Sequence, residues 1–173
     1  MITLASPTVR SLFVTGLQNA HAVEQQALAL IDRQLGRLVR YPEVADRLRL
    51  HRRETEQQIS RLDEILGSLN ERNSALKDMA LNFMGNMAAL GNVMAADEIL
   101  KDQIVNYAFE NFEVASYRTL IAIADAGRFA ASVPLLTETL REEEAMAAWV
   151  LDMLPDLTLN YVSLRSAWRP ADR

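Results

Sequence analysis

The chain of 173 residues contains no cysteine and is poor in glycine, proline and aromatic residues. Without thiols it forms no disulfide, zinc–thiolate site or iron–sulfur cluster, and it has no cysteine nucleophile. The abundant residues are instead the good helix formers Ala, Leu, Glu, Gln, Arg and Met. Since no extended strand-like alternation is present either, the sequence predicts an all-α protein.

The sequence has no excess of positive charge, and we expect neither a signal peptide nor a membrane-spanning run. Its net charge of −5 argues against nucleic acid as a partner, although residues 33–53 are locally basic. No cationic N-terminus precedes an apolar run and cleavage site, and no uncharged stretch approaches membrane-spanning length. We therefore expect a cytoplasmic protein with no nucleic-acid or membrane partner.

Common catalytic motifs are missing as well. No glycine-rich phosphate-binding loop is present. Two histidines give little support for a Ser/His/Asp triad. A pair of glutamates can serve a glycosidase, but a helical bundle without an aromatic-lined cleft disfavours that chemistry.

Helical periodicity divides the chain into two hairpins joined by a long crossover. The Ser6-Pro7 cap begins a first helix that runs to about Arg40, and Tyr41-Pro42 interrupts it before a second helix over residues 42–67. A third helix is predicted over residues 95–126, ending at the Asp125-Ala126-Gly127 turn. The fourth is predicted over residues 134–154.

The remaining segments lie between and after these hairpins. Residues 67–91 are rich in methionine and asparagine and are predicted to carry a short helix near residues 74–90. Pro155 is expected to break or kink the fourth helix, and a terminal helix over residues 156–168 is expected to pack back through Tyr161 and Trp168. The fold class is therefore a ferritin-like antiparallel four-helix bundle with a C-terminal helical extension, in a single domain over residues 1–173.

Four glutamates recur on the apolar stripes of these helices. The same separation of 30 residues divides Glu24 from Glu54 and Glu113 from Glu143. Glu24, Glu113 and Glu143 stand where the helical pattern predicts an apolar residue, whereas Glu54 has more polar neighbours. Carboxylates among leucines are costly unless they are neutralised, paired or bound to a cation. Two hairpins that each direct one carboxylate per helix inward are typical of a dinuclear metal centre.

Further candidate ligands stand one helical turn before these glutamates. The i, i+3 pairs that share a helix face are His21 with Glu24, His51 with Glu54 and Glu110 with Glu113. Without cysteine, such a site is built from oxygen and imidazole ligands. The alternative is that single glutamates are surface residues, that each histidine is structural, and that the outer members of the Glu142–Glu144 run form a solvated face.

Several segments resemble a known family. Residues 51–62, with His51, Glu54 and Gln58, are similar to the second helix of the YciF/YciE-type ferritin-like stress proteins. Residues 109–120 and 135–145 are similar to the third and fourth helices of that family, and residues 12–14 and 22–28 to the first. The resemblance covers about residues 8–154 and keeps the order and spacing of the motifs.

The resemblance implies an antiparallel bundle, usually dimeric, with a carboxylate-rich dinuclear site. Glu24, Glu54, Glu113 and Glu143 match the motif glutamates of the family, and Glu110 matches its additional acid in the third helix. Three positions depart from the pattern of such sites: Asn111 and Gln58 (or Gln57) stand where histidine is often found, and Ala147 where an aspartate-like residue is.

Two functions follow from these observations. The first is a stress-response protein that holds two iron or manganese ions through Glu24, Glu54, Glu113 and Glu143, supplemented by Glu110 and His51. Such a site reacts with peroxide or dioxygen by redox cycling. The second is a non-enzymatic, dimeric helical bundle with a structural or stress-protective role and a degenerate metal site. Large-cage iron storage is disfavoured, because the terminal segment and the resemblance both indicate a small oligomer.

Overall fold

The computed structural model describes residues 6–72 and 98–167, which form four long helices. Helix α1 covers Pro7–Leu35, α2 Pro42–Ser68, α3 Glu98–Gly127 and α4 Val133–Ser166. These ranges contain no strand, so the all-α, ferritin-like fold class is confirmed. The short helix predicted near residues 74–90 lies outside the described residues. No helix within the described ranges combines the length and apolar character that a membrane span requires.

The first hairpin begins as predicted but turns earlier. The Ser6 side chain accepts a hydrogen bond from the backbone N–H of Val9 at 3.2 Å, and Pro7 is the first helical residue. Helix α1 ends at Leu35, so the prediction that it continues to Arg40 is wrong. Gly36 follows, and Pro42 begins α2.

Helices α2 and α3 are each followed, within two residues, by a residue in the left-handed region. These residues are Asn70, with φ 57°, and Arg128, with φ 59°. In both cases the next N–H bonds to a carbonyl five residues earlier, which satisfies an otherwise unpaired helix-end carbonyl. Gly127 does not have positive φ. It is needed because a Cβ atom there would collide with the ring of Phe129.

Pro155 does not end the fourth helix. Helix α4 continues through it to Ser166, so the separate terminal helix that was predicted is the last part of α4. Proline removes one backbone hydrogen bond there, but Leu157 and Tyr161 are buried against the α1–α2 connection, beside Leu38 and Tyr41. This packing holds the chain in register beyond the proline, and it agrees with the inward position predicted for Tyr161. Trp168, which was predicted to pack in the same way, lies outside the described residues.

Neighbouring helices in the bundle are antiparallel. Helix α1 packs on α2 and α3, and α4 packs on α3 and α2. Near the start of α1, Arg10 donates a hydrogen bond to the Leu69 carbonyl at 2.8 Å, beyond the end of α2. Towards the other end, Gln34 and Asn106 exchange two hydrogen bonds of 2.9 Å between α1 and α3. The long connection between α2 and α3 therefore joins opposite ends of the bundle, so that α3 is antiparallel to α1.

The buried apolar residues form two main clusters at opposite ends of the bundle. One cluster includes Leu48 and Val150, and the other includes Leu17 and Leu62. On every helix the segment between the two clusters carries buried polar or charged side chains. The core is therefore two apolar ends separated by a polar layer, and the candidate site lies in that layer.

Candidate metal centre

All four helices contribute predicted ligands to the polar layer. The contributions are Glu24 from α1, His51 and Glu54 from α2, Glu110 and Glu113 from α3, and Glu143 from α4. Five of these six side chains are buried, Glu143 completely. Glu54, whose sequence neighbours are polar, keeps 22% of its side chain exposed. The apolar pattern around Glu24, Glu113 and Glu143 thus agrees with their burial.

Three of the six side chains form a compact group. His51, Glu110 and Glu143 each offer a ligand atom, and these atoms lie within 4.8 Å of one another. The His51 Nε2 atom lies 3.3 Å from Glu110 Oε2 and 3.8 Å from Glu143 Oε2. One imidazole nitrogen and two carboxylate oxygens from three helices at this spacing can hold one metal ion.

The other ring nitrogen of His51 contacts Glu54. The Nδ1 atom of His51 lies 3.1 Å from Glu54 Oε2, and Arg47 donates to the same oxygen at 3.0 Å. Burial opposes ionisation of Glu54, but these two partners outweigh it and lower its pKa to about 2. Glu54 is therefore a carboxylate at neutral pH, and it orients the ring of His51 with Nε2 towards Glu110 and Glu143.

His51 itself is surrounded by carboxyl groups. Burial alone lowers the pKa of an imidazole, but Glu110, Glu54 and Glu143 outweigh it and raise the pKa of His51 well above its usual range. In the metal-free protein the ring therefore carries positive charge and compensates part of the buried negative charge. A metal ion at Nε2 would replace that proton.

The opposite side of the layer contains Glu24, Glu113 and Tyr117. The Tyr117 hydroxyl donates to Glu24 Oε1 at 2.5 Å. Burial nevertheless raises the pKa of Glu24 to about 8. Burial also raises the pKa of Glu113 well above the usual value, and the nearby carboxyl groups of Glu24 and Glu143 add to that effect. This side has carboxylates but no imidazole among the described residues.

A chain of polar contacts through Gln58 and Glu142 positions Glu143, and the sequence did not predict these contacts. The Gln58 amide donates to Glu143 Oε1 and, at 2.9 Å, to Glu142 Oε2. Arg61 donates to both oxygens of Glu142 at 2.7 Å and to Thr139 at 3.1 Å. Glu142 is thus not on a solvated face as predicted. Gln58 and Arg61 follow Thr55 on α2 at successive intervals of three residues, and they were detectable only as polar residues on an inward stripe.

The second histidine lies elsewhere. His21 Nε2 is 3.3 Å from Asp63 Oδ1, in a contact between α1 and α2. His21 is not part of the His51 group. This position agrees with a structural role for His21.

The donor set of the layer fits a bound cation. Several buried carboxylate oxygens accept no hydrogen bond from the residues that the structure describes: Glu24 Oε2, Glu110 Oε2, both oxygens of Glu113 and Glu143 Oε2. Two of them, Glu110 Oε2 and Glu143 Oε2, are ion-paired with His51, whereas the oxygens of Glu24 and Glu113 in this set have no such partner among the described residues. A buried, unpartnered carboxylate costs several kcal/mol, and a divalent cation removes that cost for several oxygens at once. Oxygen ligands with one imidazole suit iron or manganese.

Comparisons with known proteins agree with this architecture. A family model described as a domain of unknown function, DUF892, matches residues 8–163. Protein YciF of Escherichia coli K12 is 27% identical over 170 residues, which cover 92% of this chain and 95% of YciF.

Solved structures share the fold. A protein from Xanthomonas campestris pv. campestris is 25% identical, with a TM-score of 0.78 over 91% of this chain and 99% of that one. The crystal structure of the E. coli stress protein YciF has a TM-score of 0.73 at 23% identity, over 90% of this chain and 97% of that one. Because the family model matches most of its length, the chain belongs to the DUF892 family, and YciF is one of its relatives.

Proposed function

We propose that the polar layer binds two iron or manganese ions and that the loaded protein reacts with peroxide or dioxygen. The observation that supports this proposal is the set of buried carboxylate oxygens without hydrogen-bond donors, contributed by α1, α3 and α4. A buried carboxylate whose oxygens are all paired can be a structural ion pair. The unpaired carboxylate oxygens of the layer instead need a cation or a shared proton to offset the cost of burial.

The two metal positions differ in their ligands. His51, Glu110 and Glu143 would hold one ion, and Glu24 and Glu113 the other. Glu143 would bridge the two positions. Glu54 would be the second ligand shared by both positions, because its contacts with Arg47 and His51 both use Oε2 and leave Oε1 for that role.

Iron or manganese would supply reversible electron transfer to the oxidant. The residues of this chain provide the surroundings. Tyr117 fixes Glu24 by its hydrogen bond, and Gln58 fixes Glu143. The apolar clusters on either side lower the local dielectric constant, so that charge–charge interactions in the layer are stronger than at the surface. We infer a role in the stress response, in the cytoplasm, from the relation to YciF, which is described as a stress protein.

Elemental analysis of protein expressed with iron and manganese tests the metal proposal. We expect about two metal ions per chain in the wild type, as in dinuclear bundles. The double substitution Glu110→Gln, Glu143→Gln should lose most of this metal, because each amide keeps the shape of the side chain but loses the charge. The matched control is Glu64→Gln, Glu144→Gln, which changes two glutamates that lie outside the layer. Near-zero metal in all three proteins would contradict the proposal.

A second candidate function is supported by a separate observation. Glu54 is paired with Arg47, Glu24 accepts from Tyr117, and Gln58 stands where an imidazole ligand is often found. These contacts satisfy part of the layer without metal, as expected for a non-enzymatic structural or stress-protective bundle with a degenerate site. The metal analysis separates the two functions, because only the first requires bound metal.

We further infer that the protein is a homodimer. An exposed stripe of four residues follows one face of α4 at helical spacing: Leu151, Pro155, Leu159 and Val162. Apolar stripes of this kind are typical of surfaces that another subunit covers. The second half of α4 is therefore the surface that we assign to the dimer.

Light scattering of the eluting protein tests this assignment. The wild type should have about twice the chain mass of 19.4 kDa. The substitution Leu159→Glu places a charge in the centre of the stripe and should give a monomer. Leu12→Glu changes another exposed leucine, on α1, and should leave the dimer intact. A wild-type monomer, or a dimer that survives Leu159→Glu, would exclude this interface.

A further inference from the structure

The side of the polar layer that contains Glu24 and Glu113 has only oxygen atoms to offer a metal ion. Both glutamates border a cavity of about 410 Å³ between α1 and α3, and the described residues that line it include no histidine. The two histidines of the chain lie elsewhere, His51 in the compact group and His21 beside Asp63. The two metal positions of the proposed centre therefore differ in the chemistry of their ligands.

Gln58 adds one more unpaired oxygen to the layer. Its side chain is fully buried, and its amide nitrogen donates to carboxylate oxygens of Glu143 and Glu142. These two acceptors settle the orientation of the amide, because an oxygen in place of the nitrogen would be repelled by both carboxylates. The amide oxygen, Oε1, is buried and accepts no hydrogen bond from the part of the chain that the structure describes. A buried acceptor of this kind needs a donor or a cation.

Gln58 lies at the level of both Glu143 and Glu24 in the bundle. Its Oε1 atom is bonded to the same carbon as the nitrogen that contacts Glu143, so the amide lies directly beside that ligand. Two side-chain contacts set the register of α1 against α2: His21 with Asp63 and Asp32 with Arg52. Gln58 is about midway between the α2 members of these contacts, and Glu24 lies within one helical turn of the corresponding point on α1. The unpaired oxygen is therefore next to the ligand that both metal positions would share.

We propose that Gln58 Oε1 is a ligand of the metal position formed by Glu24 and Glu113, and that this position takes manganese while the His51 position takes iron. Carboxylate and carbonyl oxygens suit manganese, whereas an imidazole nitrogen suits iron. The amide adds a ligand without adding charge to a layer that already contains several carboxyl groups. The inference rests on the proposed function, which gives two ions of either metal, and it assigns one metal to each position.

Competitive loading of the full-length protein tests this assignment. Chelator-treated protein is incubated under nitrogen gas with an equal excess of Fe²⁺ and Mn²⁺, separated from unbound metal and analysed for both elements. We expect about one iron and one manganese ion per chain in the wild type. Gln58→His replaces the amide oxygen with an imidazole and should shift the composition to about two iron ions, with little manganese. Gln58→Met keeps the length of the side chain but removes the oxygen, so it should lose manganese and retain iron.

Gln57→His is the matched control, because it places the same imidazole one residue earlier, on an exposed face of α2. This variant should keep the wild-type composition. Two bound ions in an unchanged ratio in Gln58→His, manganese retained in Gln58→Met, or an equal shift in Gln57→His would overturn the role of Gln58 and leave the dinuclear proposal intact. Near-zero metal in the wild type would overturn both. Thermal unfolding of each metal-free variant shows that it is folded, and the Gln58→Met result decides if Gln58→His is not.

Discussion

Replacing Glu113 with leucine is expected to stabilise the metal-free protein by about 2 to 4 kcal/mol at pH 8. Glu113 is 2% exposed, and within residues 6–72 and 98–167 neither of its carboxyl oxygens accepts a hydrogen bond. Leucine has a similar volume, so the substitution removes the cost of a buried polar group without leaving a large cavity. The same change should reduce metal binding, because the second metal position loses a ligand. Urea unfolding after treatment with a chelator measures the first effect, and elemental analysis the second.

The control is Glu64→Leu, at an exposed position on α2. That substitution should change the free energy of unfolding by less than about 0.5 kcal/mol, as surface changes usually do. If Glu113→Leu destabilises the metal-free protein, the carboxyl group has a stabilising role in the apo state. A gain in stability accompanied by loss of metal would show that the residue is kept for binding.

The metal-free protein is also expected to lose stability as the pH rises from 5 to 8. The folded-state pKa of Glu24 is raised from 4.5 to about 8 by burial, so in this interval the folded protein holds a proton that the unfolded chain has released. The elevated pKa of His51 acts in the same direction above pH 6.5. Each such proton lowers the free energy of unfolding by about 1.4 kcal/mol per pH unit.

Glu54 does not change this slope. Its pKa is lowered to about 2, so its contribution to stability is fully present above pH 5 and is lost only as the pH falls towards 2. Urea unfolding of chelator-treated protein at pH 5, 6, 7 and 8 measures the effect, and Glu24→Gln should make the slope shallower. Loading with metal should remove the decline, because the metal takes the place of the protons. A stability that is constant or rises over this range would contradict the pKa shifts.

Much of the polar layer was visible in the sequence. Glu24, Glu113 and Glu143 interrupt apolar stripes, and a residue on such a stripe faces the core whatever its chemistry, because helical periodicity sets its direction. All three are buried. Glu54 had the weakest pattern and is the most exposed of the predicted ligands. The i, i+3 relation also placed His51 and Glu110 correctly on the inward faces of α2 and α3.

Contacts between helices were not visible in the same way. The chain from Arg61 through Glu142 and Gln58 to Glu143 joins α2 to α4, residues more than 75 positions apart in sequence. No local pattern predicts which polar side chains meet across a bundle. The continuation of α4 through Pro155 is similar, since local propensity favours a break and only packing against the α1–α2 connection maintains the helix.

The sequence by itself determined the all-α class, the two hairpins and the inward direction of the glutamates, because helix propensity and periodicity act over a few residues. Tertiary structure alone decided which of these groups meet: His51 with Glu110 and Glu143 on one side, and Glu24 with Tyr117 beside a cavity on the other. The reason is that burial, pairing and pKa depend on distances between helices. Those distances are set by the packing of the whole bundle.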